Sequence, residues 1–354
     1  MPRAVDDLTA EWFTAGLSPA FPGVNVASVS VDEILRGTAI KVLVGLEYGQ
    51  DQPRGAPSSV CVKGAFGEDQ VDMAAASKIY EREAVFYRDF ESLLPRPGPI
   101  PWFSETEAGT GLGIVVLEDL RTRGATFGRA TSPFTVDQVA AGLEVLAGCQ
   151  TATWGLPLLH QHPVMDTAVS RDNGTGQYFA TFDTSGIQYF LDLPLRSEAI
   201  PVELHDPELI SRLFWAWADQ SHDGPYCLSH GDAHIGNWYV VPDGGVGLLD
   251  WQVIGRMRWA HDVTYFMTSA LDVDDRRSAE TDLLRLYLGR LASAVDGAPS
   301  FDEAWLDYRR HMAYGLMAWL TSLEWMNPEP IHAAAVGRFA HAVLDLDTEG
   351  ALAS

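Results

Sequence analysis

"SHGDAHIGN" at positions 229–237, followed by "GLLDWQ" at 247–252, is the stretch on which the fold turns. His230, Asp232, His234 and Asn237 fall within eight residues, two of the others are glycine, and Asp250 follows thirteen residues after Asn237 at the end of an apolar run. A polar turn, a metal-hydrolase site or a loop for phosphoryl transfer would each use such residues. After Asn237, "WYVV" reads as a strand, "PDGG" as a turn and "VGLL" as a second strand, which is the punctuation of a β-hairpin. A hairpin returns the end of its second strand to the start of its first, so Asn237 and Asp250 are expected to face each other at its open end. Cross-strand neighbours sit about 5 Å apart, and an amide and a carboxylate oxygen at that distance suit Mg²⁺, which keeps several waters and shares the rest of its shell with phosphates. Asp232, five residues before Asn237, is not needed to close the hairpin. Beside a metal-bound triphosphate it would accept a hydroxyl proton and aim that oxygen at phosphorus, and phosphoryl transfer asks for little beyond such positioning and charge neutralisation.

Composition narrows the classes. The chain has 354 residues, 47% of them apolar, which is long for one simple core and suits two lobes. A formal charge of −24 argues against a surface that tracks nucleic-acid phosphates. It is compatible with a cationic small molecule, or with solubility alone. Cys61, Cys149 and Cys227 are far apart and in no ligand spacing, so reduced thiols are expected. The start "MPRAVDDLTAEWF" is acidic and lacks an apolar signal core, and no run approaches a membrane span. The expectation is a soluble cytoplasmic protein with no membrane partner and no nucleic-acid partner, its oligomeric state open.

Before about residue 120 the chain reads as strands with one helix. "VSVDEIL", "IKVLVGLEY", "SVCVKGAF" and "GLGIVVLEDL" are short β-rich runs, and "DMAAASKIYEREAVFYRDFESLL" reads as one helix stopped by "PRPGPIP". Beyond it the pattern is helical. "TVDQVAAGLEVLAGCQTATW" opens on a threonine cap, "DPELISRLFWAWADQ" on an Asp-Pro start, and residues 301–326 carry a stripe through Trp305, Tyr308, Met312, Leu316, Trp319 and Leu323. Residues 155–200 show little periodicity. The fold class is α+β, divided into a small β-rich lobe at 1–119 and a larger helical lobe at 120–354.

Lys63 interrupts an apolar strand. On the helix, Ile79, Glu83, Phe86 and Phe90 share one face, so Glu83 sits on the inward stripe while Glu81 points away. A carboxylate on a buried stripe needs a partner, and Lys63 is the candidate. Strand lysines are usually solvated. The functional alternative is a cation for nucleotide phosphates held by a helix glutamate.

Together, "HGDAHIGN…LLDW" resembles the catalytic loop and metal segment of the aminoglycoside phosphotransferase and choline kinase superfamily, which has a protein-kinase-like bilobal fold. "VVLEDL" and "ILRGTAIKVLVGLEYG…APSSVCVKGAF" resemble the hinge and first strands of bacterial phosphotransferases of its ecdysteroid-kinase-like branch, and the likeness covers roughly residues 30–270. The resemblance implies a small-molecule kinase with a hydroxyl acceptor, using ATP (GTP stays open) and Mg²⁺. Asp232 would be the catalytic base, Asn237 and Asp250 the metal ligands, and Lys63 with Glu83 the phosphate-binding pair. The backbone around Glu118, Asp119 and Leu120 would meet adenine, and the turn at Gly37 and Thr38 would cover phosphates. That turn carries one glycine where protein kinases have G-x-G-x-x-G. His230 and Asp262 would brace the loop, and His234 would pack it. Three rivals stand beside this reading: a metal-dependent hydrolase built on His230, Asp232 and His234, a nucleotide-binding pseudokinase scaffold, and a protein kinase, for which no Ala-Pro-Glu-like segment follows Asp250.

Overall fold

The computed structural model describes residues 1–36, 39–49, 52–67, 78–165, 169, 174–221 and 224–354. Gly37 and Thr38, and the first residues of the helix expected from position 72, lie outside these. The fold is mixed α+β and divides into two compact units. The first is Met1–Ala125 with Leu249–Val253, and the second is Thr126–Leu248 with Ile254–Ser354. The compositional boundary at 119/120 thus stands six residues short of the structural one, and five residues that follow the hairpin belong with the first unit.

The first unit is built on an antiparallel sheet of β1 (Val26–Leu35), β2 (Ile40–Tyr48), β3 (Ser59–Gly64), β4 (Pro101–Glu107) and β5 (Leu112–Glu118), in the order β1-β2-β3-β5-β4. Alternation decides its faces. Ile40, Val42, Val44 and Leu46 join Val60, Val62, Ile114 and Val116 in one core, closed by Phe13 and Leu17 of helix α1 (Ala10–Leu17). The opposite face carries Lys63. Neither α1 nor β4 is legible in the sequence. The helix offers a single apolar i, i+4 pair. The strand is an edge strand opening on proline, where a missing N–H is tolerated, and all seven of its residues are half-buried, so no alternation marks it.

The expected single helix is a composite. Helix α2 (Ile79–Val85) passes into a wider turn at Phe86–Phe90, where the Glu91 N–H reaches the Phe86 carbonyl five residues back. This π-type turn lets Phe86, Tyr87 and Phe90 all bury their rings while Glu83 stays on the inner face.

The second unit is mostly helical: α3 (Val136–Thr153), α4 (Pro207–Gln220), α5 (Ala260–Ala270), α6 (Val273–Ala292), α7 (Phe301–Leu320) and α8 (Glu329–Asp345), with shorter helices between. The caps follow the sequence signals. Thr135 and Gln138 form a capping box on α3, and Asp206 accepts from the Glu208 and Leu209 N–H groups ahead of Pro207. The unit also holds β6 (Thr126–Phe127), β7 (Cys227–Ser229), β8 (Trp238–Val240), β9 (Val246–Leu248) and β10 (Gly255–Met257). β8 and β9 form the expected hairpin, with Trp238 opposite Leu248, and β7 pairs with β10. α7 ends six residues before the expected Met326. The Thr321 and Ser322 hydroxyls donate to the Met317 and Ala318 carbonyls at 2.8 and 2.7 Å, satisfying the last turn. Residues 155–200 hold helices at Leu158–Gln161, Gly174–Ala180, Thr184–Leu191 and Pro194–Ala199, each too short to show a period. No helix among the described residues is long and apolar enough to cross a membrane.

One buried clip fastens this region. Arg196, fully buried, donates to both carboxylate oxygens of Glu329 at 2.9 and 3.0 Å and to the Leu320 carbonyl at 2.5 Å. It ties a short helix to the end of α7 and the start of α8. Glu329 is itself only half-buried, so losing Arg196 leaves that carboxylate partly in water, while the Leu320 carbonyl loses its donor. Arg196→Met should therefore lower unfolding free energy by about 2 kcal/mol in urea titration, and a loss below about 0.5 kcal/mol would mean the clip is only decorative.

Candidate active site

In the second unit, the loop from β7 to β8 is organised by one buried carboxylate. Asp262, in the first turn of α5, is 1% exposed. Its Oδ2 accepts the His230 N–H at 2.8 Å, and its Oδ1 accepts the Gly231 N–H at 3.0 Å and the Ser229 hydroxyl at 2.8 Å. Three donors offset the cost of burying that charge. Gly231 stands at φ +80°, a backbone region open mainly to glycine. The sequence reading of Asp262 as a brace for the loop matches this geometry. His230 accepts the Asp232 N–H at Nδ1 (3.2 Å), and His261 Nε2 lies 3.0 Å from the Gly231 carbonyl.

Asp232 follows on this fixed backbone with its side chain 40% exposed. Asn237 is buried, and its Nδ2 donates to the Asp232 carbonyl at 2.7 Å and to Asp232 Oδ2 at 3.2 Å. The amide nitrogen is thereby committed, and Oδ1 is the atom Asn237 has for a ligand. His234 turns Nδ1 onto the Gly236 N–H at 3.0 Å and brings Nε2 to 3.5 Å from Asp232 Oδ2. Its ring packs edge-on against Trp319 at 5.0 Å. The loop is pinned again where the Ile235 N–H donates to Ser269 Oγ and the Trp238 indole N–H to the Ala233 carbonyl, each at 2.9 Å.

The alternation of His230, Asp232 and His234 does not make a ligand set, because both imidazoles spend Nδ1 on backbone N–H groups. Among the described residues no group of three or more His, Cys, Asp or Glu side chains is placed to hold a metal ion. An amide and a carboxylate that share a hard cation with phosphates fall outside that description.

In the first unit, Lys63 is 3% exposed, and its ammonium lies 2.8 Å from Glu83 Oε2, 3.0 Å from Glu83 Oε1 and 2.6 Å from Asp250 Oδ1. Burial alone would lower the Lys63 pKa. The Asp250 and Glu83 carboxylates more than offset it and raise the pKa above the usual lysine value, so the group stays charged. Asp250 adopts φ +68°, a left-handed conformation that aspartate tolerates better than most residues. Next to it, the Trp251 ring stacks on Phe86 at 3.9 Å between centroids and 5° between planes. The Asp-Trp pair thus works as one device: the tryptophan seats on the turn that follows the helix bearing Glu83, and the aspartate reaches Lys63.

The Glu118 backbone N–H donates to the Ile100 carbonyl at 2.8 Å, and its side chain accepts the Ile100 N–H at 3.2 Å. Asp119 pairs with Arg121 at 2.7 Å and accepts the Ser59 hydroxyl at 3.0 Å. Leu120 is buried and opens a short 3₁₀ turn, its carbonyl accepting the Ala125 N–H at 3.2 Å. Asn237 and Asp232 belong to the second unit; Asp250, Lys63 and Glu83 belong to the first. Sequence reasoning missed Lys41, although a charge inside "IKVLV" is the same signal that singled out Lys63.

Among curated proteins, none matches the chain. Among solved structures, a spectinomycin phosphotransferase, crystallised with ADP and spectinomycin, is similar over 96% of this chain and 99% of its own, with a TM-score of 0.53 and 11% identity. An ethanolamine kinase from Plasmodium vivax is similar over 91% of this chain and 83% of its own, with a TM-score of 0.50 and 10% identity. At such identities the likeness is one of fold, and the fold is that of kinase-like phosphotransferases. The profile of the ecdysteroid kinase-like family matches residues 39–297, well over half of the sequence, and the chain belongs to that family.

Proposed function

We propose that this protein is a Mg²⁺-dependent small-molecule kinase that transfers the γ-phosphoryl group of ATP to a hydroxyl of a small acceptor. The observation that carries the reading is the buried ammonium of Lys63 between Glu83 and Asp250. Stability does not explain it, since a buried ion pair is often no better than an apolar replacement. A preorganised cation against nucleotide phosphates does explain it.

Lys63, fixed by Glu83, binds the phosphate chain. The carboxylate of Asp250 and the Oδ1 of Asn237 are the oxygen donors for Mg²⁺, whose contribution when bound is to neutralise phosphate charge. Asp232 orients the acceptor hydroxyl and takes its proton as the oxygen bonds to the γ-phosphorus. The bond from that phosphorus to the β,γ-bridging oxygen breaks, its electron pair leaves on ADP, and the phosphate ester is released. Asp262 acts through the loop, holding the backbone that carries Asp232. Trp319 is buried, so it offers no open face to an amine, while Glu324 is 3.5 Å from the Tyr189 hydroxyl. A screen of ADP release across aminoglycosides, amino sugars, choline-like alcohols, sterols and macrolides, with and without Mg²⁺, identifies the acceptor class.

Two outcomes are expected. Asp232→Asn should cut turnover roughly 10²- to 10⁴-fold, the usual worth of a positioned base, with nucleotide affinity little changed. Near-normal turnover would remove Asp232 from its role. Cys61 shares the Lys63 face of the sheet, two residues away on β3 and directly opposite Leu117, and burial pushes its thiol up to about 11. It is half-buried, whereas Cys149 and Cys227 are buried. Alkylation of Cys61 at alkaline pH, followed by mass spectrometry, should slow several-fold with MgATP. An unchanged rate would contradict nucleotide binding on this face.

A further inference from the structure

Lys41 of β2 stands directly opposite Lys63 of β3 in the antiparallel register, and directly opposed residues project from the same sheet face. Like charges on one rung repel. A lysine with a flexible stem and access to water would normally swing its head away from such a neighbour. Lys41 does not: its ammonium lies 3.6 Å from Asp250 Oδ2 while Lys63 takes Asp250 Oδ1 at 2.6 Å. One carboxylate is therefore shared between two ammonium groups.

The four charges are divided unequally. Lys63 and Glu83 are sealed, with side chains 3% and 2% exposed, and they balance each other. Lys41 and Asp250 are 42% and 21% exposed. An exposed ion pair adds little stability, so the fold gains little from a second lysine on this rung. A nucleotide triphosphate, by contrast, brings several negative charges to the face where Lys63 is already matched by Glu83. The accessible head is that of Lys41. Its contact with Asp250 is the longer of the two, and so the weaker one to give up.

We propose that Lys41 is a second phosphate-binding lysine, whose ammonium exchanges Asp250 for the phosphate chain of the bound nucleotide. This rests on the kinase reading above and adds to it a contact that distinguishes ATP from adenosine. Lys63 is the fixed, buried cation of the pair, and Lys41 the mobile, solvent-facing one.

The test is calorimetric titration of the full chain with MgATP, ADP and adenosine, for wild type, Lys41→Met, Lys41→Gln and Lys41→Arg. Loss of one charge-assisted contact should weaken MgATP binding by roughly 10- to 100-fold in the Met and Gln variants. Adenosine binding should stay within twofold, and the Arg variant should recover most of the loss. Wild-type binding of MgATP with both neutral variants within twofold of it would overturn this inference alone, leaving Lys41 as a counter-ion of Asp250. Equal loss of adenosine and MgATP in both neutral variants would also overturn it, because Lys41 would then shape the fold of the face instead of meeting phosphate. Failure of wild type to bind any nucleotide would overturn the kinase reading, and this inference with it.

Discussion

The ammonium of Lys63 is a charge taken almost completely out of water, and a charge so buried must find carboxylates or titrate away. It finds two, from distant parts of the chain. Glu83 comes from a helix twenty residues on, and Asp250 from 187 residues on. That second demand explains why Leu249–Val253 leaves the helical unit's sequence neighbourhood and packs with the sheet. It also explains the left-handed backbone at Asp250 and the stacking of Trp251 on Phe86, which together deliver the carboxylate. The π-type turn at Phe86–Phe90 sets that ring where the indole can meet it.

The helical unit repeats the same logic with the sign reversed. There the buried charge is an anion, Asp262, and the groups that answer it are two backbone N–H groups and a hydroxyl of the loop itself. A loop satisfied this way has few alternative conformations open to it. Asp232 can then project from a rigid backbone while its own side chain stays accessible, with Asn237 fixed against it by its amide nitrogen. In each unit one buried charge thus fixes the position of one further carboxylate, Asp250 in the first and Asp232 in the second.

Much of this was legible because the signals were contradictions of local rules. A lysine inside an apolar strand, a glutamate on an apolar helix stripe, and an acid after the second strand of a hairpin each break the expected pattern, and each has a partner in the structure. The hairpin itself followed from turn residues between two apolar runs. What stayed hidden has physical reasons. α1 and the short helices of residues 155–200 are too brief for a period to emerge, and β4 is an edge strand with no buried face. The wider turn after α2 is invisible to a 3.6-residue pattern, which only drifts there by a fraction of a turn. The positive φ of Asp250 depends on its tertiary partners, and no sequence signal marks it. Lys41 carries the same mark as Lys63, a charge inside an apolar strand, but its place opposite Lys63 is visible only in the strand register.

The most direct measurement of the central claim is the titration of the Lys63 ammonium itself, by ¹⁵N-resolved NMR of the side chain with Lys63→Arg as the assignment control. Two carboxylates at these distances should keep it protonated beyond the usual lysine range, and its resonance should move when MgADP is added. A Lys63 that loses its proton well below that range, or whose signal is indifferent to MgADP, would contradict the account.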